Sequence, residues 1–272
     1  MSGGMRLISY IAGLTIAIYL ASGLGLFLMQ DRMLLPSTPY APDLRSVPHP
    51  GESIDVWRAH DQYAGYVVTP IGRPLRGTVI VYHGNEESAE NKLPLADVFS
   101  HIGYRVIIAE YPGHGRRQGP RLMSAALTAS RETLATALAK WGGPVYLVGE
   151  SLGAGMASQV VQGNEAAIAG VVLFTPWDSL ANVAAEKYPI FPVRWLLHND
   201  FDSIAAVSHY RGPLVIVGAQ EDTLIPVDHA RHFANAHTAS KLLLLPSANH
   251  DNWFDAMTRN NWQDLLQTLR AV

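Results

Sequence analysis

The stretch Val145-Tyr146-Leu147-Val148-Gly149-Glu150-Ser151-Leu152-Gly153 passes from a short apolar run, through glycine and serine, into a helical pattern that begins near Ala154. This is the G-x-S-x-G arrangement that places a serine on a sharp turn between a strand and a helix. Gly149 and Gly153 are required because, at so tight a bend, side chains two before and two after Ser151 would collide with neighbouring backbone. The helix that follows aims its unpaired N–H groups at the serine. A five-residue match recurs by chance; the strand before it and the helix after it make this one specific.

Short β-rich runs alternate with helical stretches on both sides of that turn. The strand candidates are Gly65 to Val68, Thr78 to Tyr82, Tyr104 to Ala109, Val145 to Val148, Val171 to Phe174, Leu214 to Val217 and Leu242 to Leu245. Several are continuous apolar runs, as in strands covered on both faces. Helices are expected near Leu93 to Ile102, Ser124 to Trp141, Ala154 to Gln162, Val227 to Ala236 and Trp262 to Leu269. Alternation of this kind builds βαβ units, hence an α/β domain with a mostly parallel central sheet and helices on both faces. One connection is too long for a simple crossover, residues 176–211, with Pro189, Pro192 and several aromatics. Such an insertion usually covers a site, so a short cap is expected there. Its Trp177, Phe191, Trp195 and Phe201 read most simply as a small core of its own, and Trp177 and Phe191 are also the candidate substrate contacts.

Catalytic groups on a parallel sheet gather at the carboxyl ends of the strands. Gly218-Ala219-Gln220-Glu221-Asp222-Thr223-Leu224-Ile225-Pro226 follows one buried run, and Ser247-Ala248-Asn249-His250-Asp251 follows another. In this reading Ser151 attacks, His250 removes and returns the proton, and Asp222 holds the imidazole tautomer and stabilises its charged form. Glu221 is the alternative acid; the spacing to Ile225-Pro226 favours Asp222. The tetrahedral oxyanion needs two backbone donors, Leu152 N–H directly after the nucleophile and Asn85 N–H in the loop His83-Gly84-Asn85. This chemistry calls for no cofactor and no metal. His83 reads as structural. His229 and His232, three apart with no carboxylate or third histidine spaced to complete a metal site, read as surface residues. Arg116 and Arg117 read as a solvated loop, with an anionic headgroup as the alternative partner.

From Leu7 to Met29 the chain carries no charge, and as a helix these residues span about 34 Å, enough for a bilayer core of about 30 Å. A membrane anchor is therefore expected over residues 1–30, a linker over 31–50 containing Pro36-Ser37-Thr38-Pro39-Tyr40-Ala41-Pro42, and the α/β domain over 51–272. The alternative is a signal peptide cleaved near Ala21-Ser22-Gly23, although the apolar run continues past that point. Arg6 precedes the helix while Arg32 and Arg45 follow it, and the short leading tail favours a domain on the outer, periplasmic or luminal side. Ser9, Gly13, Ala17, Ala21 and Gly25 form a small-residue stripe along which a second copy could pack as a helix-mediated homodimer.

The 272 residues are 48% hydrophobic and 16% charged, against about 25% charged in an ordinary soluble domain. Residues 1–30 hold only Arg6, so the remainder is still only about 17% charged and the domain is itself charge-poor. The net charge of −3 excludes the cationic field that a nucleic-acid partner requires. The absence of cysteine excludes disulfides, cysteine nucleophiles and thiolate metal sites.

Five further segments carry a resemblance: Phe27-Leu28-Met29-Gln30-Asp31-Arg32-Met33-Leu34-Leu35-Pro36, Tyr82-His83-Gly84-Asn85, Tyr111-Pro112-Gly113-His114-Gly115, Thr175-Pro176-Trp177-Asp178-Ser179-Leu180 and Tyr188-Pro189-Ile190-Phe191-Pro192-Val193. With the G-x-S-x-G turn they are similar to the single-pass, membrane-anchored branch of the α/β-hydrolase superfamily, whose eukaryotic relatives include depalmitoylating thioesterases and lysophospholipid hydrolases. The resemblance runs from the end of the apolar helix to the His250 loop. It implies an α/β-hydrolase fold with a short cap, and a serine hydrolase that cleaves acyl esters or thioesters of lipid-like substrates through an acyl-enzyme. The chain departs from the pattern at Arg116-Arg117 and at Glu87, where smaller residues are usual. A serine peptidase or amidase on the same triad, and a non-catalytic membrane scaffold that keeps the fold, are the alternatives.

Overall fold

The computed structural model describes residues 3–36, 38, 43–46 and 49–270; most of the proline-punctuated connector lies outside them. The strands are β1 (Glu52–Ala59), β2 (Gln62–Pro70), β3 (Gly77–Tyr82), β4 (Tyr104–Ala109), β5 (Val145–Glu150), β6 (Ile168–Phe174), β7 (Leu214–Ala219) and β8 (Lys241–Leu245). They form one sheet in the order β1-β2-β4-β3-β5-β6-β7-β8. Every pair from β4 to β8 is parallel, and β1 and β2 add an antiparallel hairpin at one edge.

The helices are α1 (Gly3–Leu34), α2 (Leu93–Ser100), α3 (Met123–Trp141), α4 (Leu152–Val161), α5 (Leu180–Lys187), α6 (Val193–Leu196), α7 (Ser203–Val207), α8 (Asp228–Ala236), α9 (Trp253–Ala256) and α10 (Arg259–Arg270). Alternate side chains of the strands point to opposite faces. Ile80, Leu147, Leu173 and Ile216 share one core with Leu134 of α3, Val160 of α4 and Phe233 of α8. Val79, Val148, Val172 and Val215 share the other with Phe99 of α2 and Leu265 of α10. The insertion forms α5, α6 and α7.

β1 is absent from the strands expected on sequence. Its Ser53-Ile54-Asp55-Val56 alternation is that of an edge strand, half-buried rather than uniformly apolar. His60 and Asp61, at φ of 48° and 62°, close the hairpin with the left-handed pair that two-residue turns favour.

The apolar helix also runs further than expected, to Leu34, so residues 31–34 are helix rather than linker. It is long and apolar enough to cross a membrane. Residues 4–22 are mostly exposed, Tyr19 among them touching the cap, whereas one face of the second half packs on the domain. The Tyr19 hydroxyl donates to the Ile190 carbonyl at 2.8 Å, and its ring stacks on Phe191 at 5.0 Å. Gln30 donates to Leu196 O and accepts from His198 N–H. Asp31 accepts the Met123 N–H at 2.9 Å, capping the first turn of α3 from ninety-two residues away, and Leu35 is fully buried.

Candidate active site

β5 delivers Ser151 at the carboxyl edge of the sheet, between the strand and α4. The serine has φ of 52° and ψ of −115°, a conformation that L side chains rarely adopt and that costs about 1–3 kcal/mol. A Cβ on Gly149 would lie 2.1 Å from Gly153 O, and one on Gly153 would lie 2.0 Å from Tyr82 O. Both obstacles are backbone, so both positions accept only glycine.

The structure brings together the three side chains expected to converge. His250 Nε2 is 2.9 Å from Ser151 Oγ, and its Nδ1 is 2.7 Å from Asp222 Oδ2. Asp222 Oδ1 accepts the N–H groups of Leu224 and Ile225 at 2.8 Å each, which fixes the carboxylate plane. A carboxylate only accepts, so Nδ1 carries the proton and Nε2 is left to accept from the serine hydroxyl. Glu221 is exposed and takes no part in this chain of bonds, whereas Asp222 is buried.

The Leu152 and Asn85 N–H groups donate to no other group among the described residues. The loop that holds Asn85 is braced from several sides. His83 is fully buried, with Nε2 2.8 Å from Glu110 and Nδ1 2.7 Å from Gly84 O. Gly84 O accepts from Nδ1 and a carboxylate at Glu110 accepts from Nε2, an arrangement that favours the protonated ring. Burial opposes that charge, but the Glu110 carboxylate outweighs it and raises the His83 pKa. Tyr111 donates to His83 O, and His114 Nε2 lies 3.3 Å from Asn85 O. Burial, and then the positive charge of His83, lower the His114 pKa, which suits a neutral donor.

Sequence reasoning missed a second brace. Glu87 accepts the Gly84 N–H at 2.8 Å and the Lys92 ammonium at 2.6 Å, and Lys92 also donates to Glu150 of the serine turn. Burial works against the charge of Lys92, but Glu150 and Glu87 prevail and raise its pKa. One ammonium therefore joins the loop of Asn85 to the turn of Ser151. The departure at Glu87 is a structural tie.

Several side chains differ from expectation. His229 is a buried residue, not a surface one: Nδ1 is 2.8 Å from Asp178 and Nε2 3.3 Å from Glu186, while His232 is exposed. The carboxylate comes from the cap, so helical spacing could not reveal it. Arg116 pairs with Asp43 at 2.6 Å and approaches Glu90, and Arg117 donates to Glu110 O, so neither is a freely solvated cation awaiting a headgroup. Trp195 is 88% exposed and no part of a cap core. Trp177 is buried against Gly155, Phe201 is also buried, and Phe191 stacks on Tyr19, so neither candidate substrate contact is free to face an open cleft.

His49, Glu52 and Asp97 place donor atoms within 4.8 Å of one another, a grouping that could hold a metal ion. Burial and the neighbouring Glu52 raise the Asp97 pKa. The group lies toward the amino edge of the sheet, where α2 leads into β4, and not with Ser151.

A family described as serine aminopeptidase, S33, matches residues 73–199, a stretch that includes Asn85 and Ser151 but ends before Asp222 and His250. The uncharacterized protein Rv2307c of Mycobacterium tuberculosis is 28% identical over 241 residues, covering 85% of each chain. Among solved structures, the esterase Pf2001 of Pyrococcus furiosus superposes with a TM-score of 0.67 at 15% identity, covering 87% of this chain and 97% of its own. Est1E of Butyrivibrio proteoclasticus, solved with ferulic acid, gives 0.64 at 17% identity, covering 81% and 97%. Together with the strand order and the serine turn, these likenesses identify the fold as that of the α/β-hydrolases.

Proposed function

We propose that this chain is a serine hydrolase of acyl esters or thioesters, tethered to a membrane by α1 with its domain on the outer side. The observation that carries the catalytic reading is the unbroken hydrogen-bond chain Ser151–His250–Asp222 at a serine turn with two unengaged backbone N–H groups beside it. In the first half-reaction His250 takes the Ser151 proton as the oxygen attacks the carbonyl carbon. The oxyanion that forms is held by Leu152 and Asn85 N–H, and His250 then protonates the departing alkoxide or thiolate. Water, activated by the same imidazole, releases the acid from the acyl-enzyme. The start of α4 adds the positive end of a helix dipole to the donor pair.

The acyl part of the reading rests on the family resemblance; an apolar cavity of about 90 Å³ between α1 and the cap, lined by Leu26, Met33, Leu34, Leu180 and Val193 among others, shares no lining residue with the Ser151 site and reflects how α1 docks. The match to a family described as aminopeptidase supports a second reading, amide cleavage by the same three side chains. Labelling with a fluorophosphonate tests the chemistry. Wild type is expected to label and Ser151→Ala to be silent, with hydrolysis reduced about a million-fold. A folded wild-type protein that does not label removes the hydrolase reading. Comparing p-nitrophenyl acyl esters with aminoacyl p-nitroanilides then separates the two substrate classes.

A further inference from the structure

The contacts between α1 and the cap act as a depth gauge. Ile190 is bonded through its carbonyl to Tyr19, Phe191 lies against Gly23, and Leu196 is bonded to Gln30. Tyr19 stands ten residues inside the end of the uncharged stretch at Met29, so at 1.5 Å per residue the tip of the cap reaches about 15 Å down the apolar helix. Whatever medium surrounds residues 7–29 therefore also surrounds Ile190 and Phe191.

The composition of that tip fits lipid. Residues 188–193 are Tyr, Pro, Ile, Phe, Pro and Val, without a charge. Ile190 is 70% exposed and Trp195 is 88% exposed, more than any other large apolar side chain outside α1 among the described residues. Trp195, one residue from the carbonyl that Gln30 holds, stands at the level where the uncharged stretch ends and Asp31 and Arg32 begin. That is the interfacial level at which tryptophan is enriched in membrane proteins. The Tyr19–Ile190 bond also satisfies a non-helical carbonyl at a depth where lipid could not, as irregular backbone there requires.

We propose that the cap tip, Pro189 to Val193, inserts into the same lipid leaflet that α1 enters, with Arg194, which donates to Asn182 at 2.6 Å, and Trp195 at the interfacial level, giving the domain a second point of membrane contact beside the apolar cavity. The proposal rests on the membrane-spanning reading of α1. The full chain has no cysteine, so single substitutions at exposed sites provide unique labels: Ile190→Cys on the tip, Leu14→Cys on the helix and Ile71→Cys on the far hairpin. Each full-length variant is labelled with a polarity-sensitive maleimide fluorophore and reconstituted in phosphatidylcholine vesicles. Quenching by iodide is then compared with quenching by nitroxide-bearing lipid.

Labels at Ile190 and Leu14 are expected to be quenched several-fold more strongly by the lipid nitroxide than by iodide, and the Ile71 label the reverse. If the Ile190 label behaves like that at Ile71 while the Leu14 label stays in lipid, the cap does not insert and the anchor reading survives. A Leu14 label open to iodide overturns the anchor reading and this proposal with it.

Discussion

Asp222 divides its two oxygens, one on the N–H groups of Leu224 and Ile225 and one on His250. Asp222→Asn keeps an acceptor for the backbone pair but sets an amide against the imidazole, which favours the wrong tautomer. The expected result is a fall in kcat of about 10,000-fold with little change in melting temperature, read by steady-state kinetics and calorimetry. Lys92 predicts the opposite balance. Lys92→Met leaves Glu87 and Glu150 without their shared partner in a largely buried place, and chemical denaturation should show a loss of about 3–5 kcal/mol. Positions Ser151, Asp222 and His250 could be read from sequence because each sits in a short local pattern after an apolar strand. Lys92 could not, because its meaning depends on Glu150, fifty-eight residues away, and no local pattern records that encounter.

At the level of elements, the cap is fastened to α8 through one buried cluster. Asp178 accepts from His229, from Asn182 of α5 and from the N–H of Ser179. For Asp178, burial raises the pKa but the bonds from His229 and Asn182 prevail, so it is lowered; its contribution is present above the unfolded value of about 3.9 and is lost as pH falls through the lowered one. For His229, burial lowers the pKa but Asp178 prevails, so it is raised; its contribution is complete below the unfolded value of about 6.5 and is lost as pH rises through the raised one. The cap is therefore held most firmly from about pH 4 to 6.5. Hydrogen exchange in α5 should be slowest in that window, and His229→Gln should flatten the alkaline side. Strongly apolar elements such as β5 and β7 were legible from sequence. β1 was not, since an edge strand buries only part of one face and its pairing is set by the turn at His60 and Asp61.

For the molecule as a whole, α1 belongs partly to the domain. Deleting residues 1–22 removes the Tyr19 contacts but leaves Asp31 and Leu35 in place, and its melting temperature should stay within a few degrees of the full chain. Deleting residues 1–35 removes a buried leucine, worth about 1.5–3 kcal/mol, and the cap of α3, worth about 1 kcal/mol. That loss corresponds to a melting temperature lower by roughly 5–16 °C. The Asp31 and Gln30 bonds also make α1 a strut rather than a leash. A catalytic centre on a leash searches a volume and responds to the bulk concentration of its substrate. On a strut it keeps one height and searches only the plane beneath it, so under the proposed anchoring by α1 turnover of a lipid-borne substrate would follow its mole fraction in the bilayer and fall when inert lipid is added at constant bulk substrate.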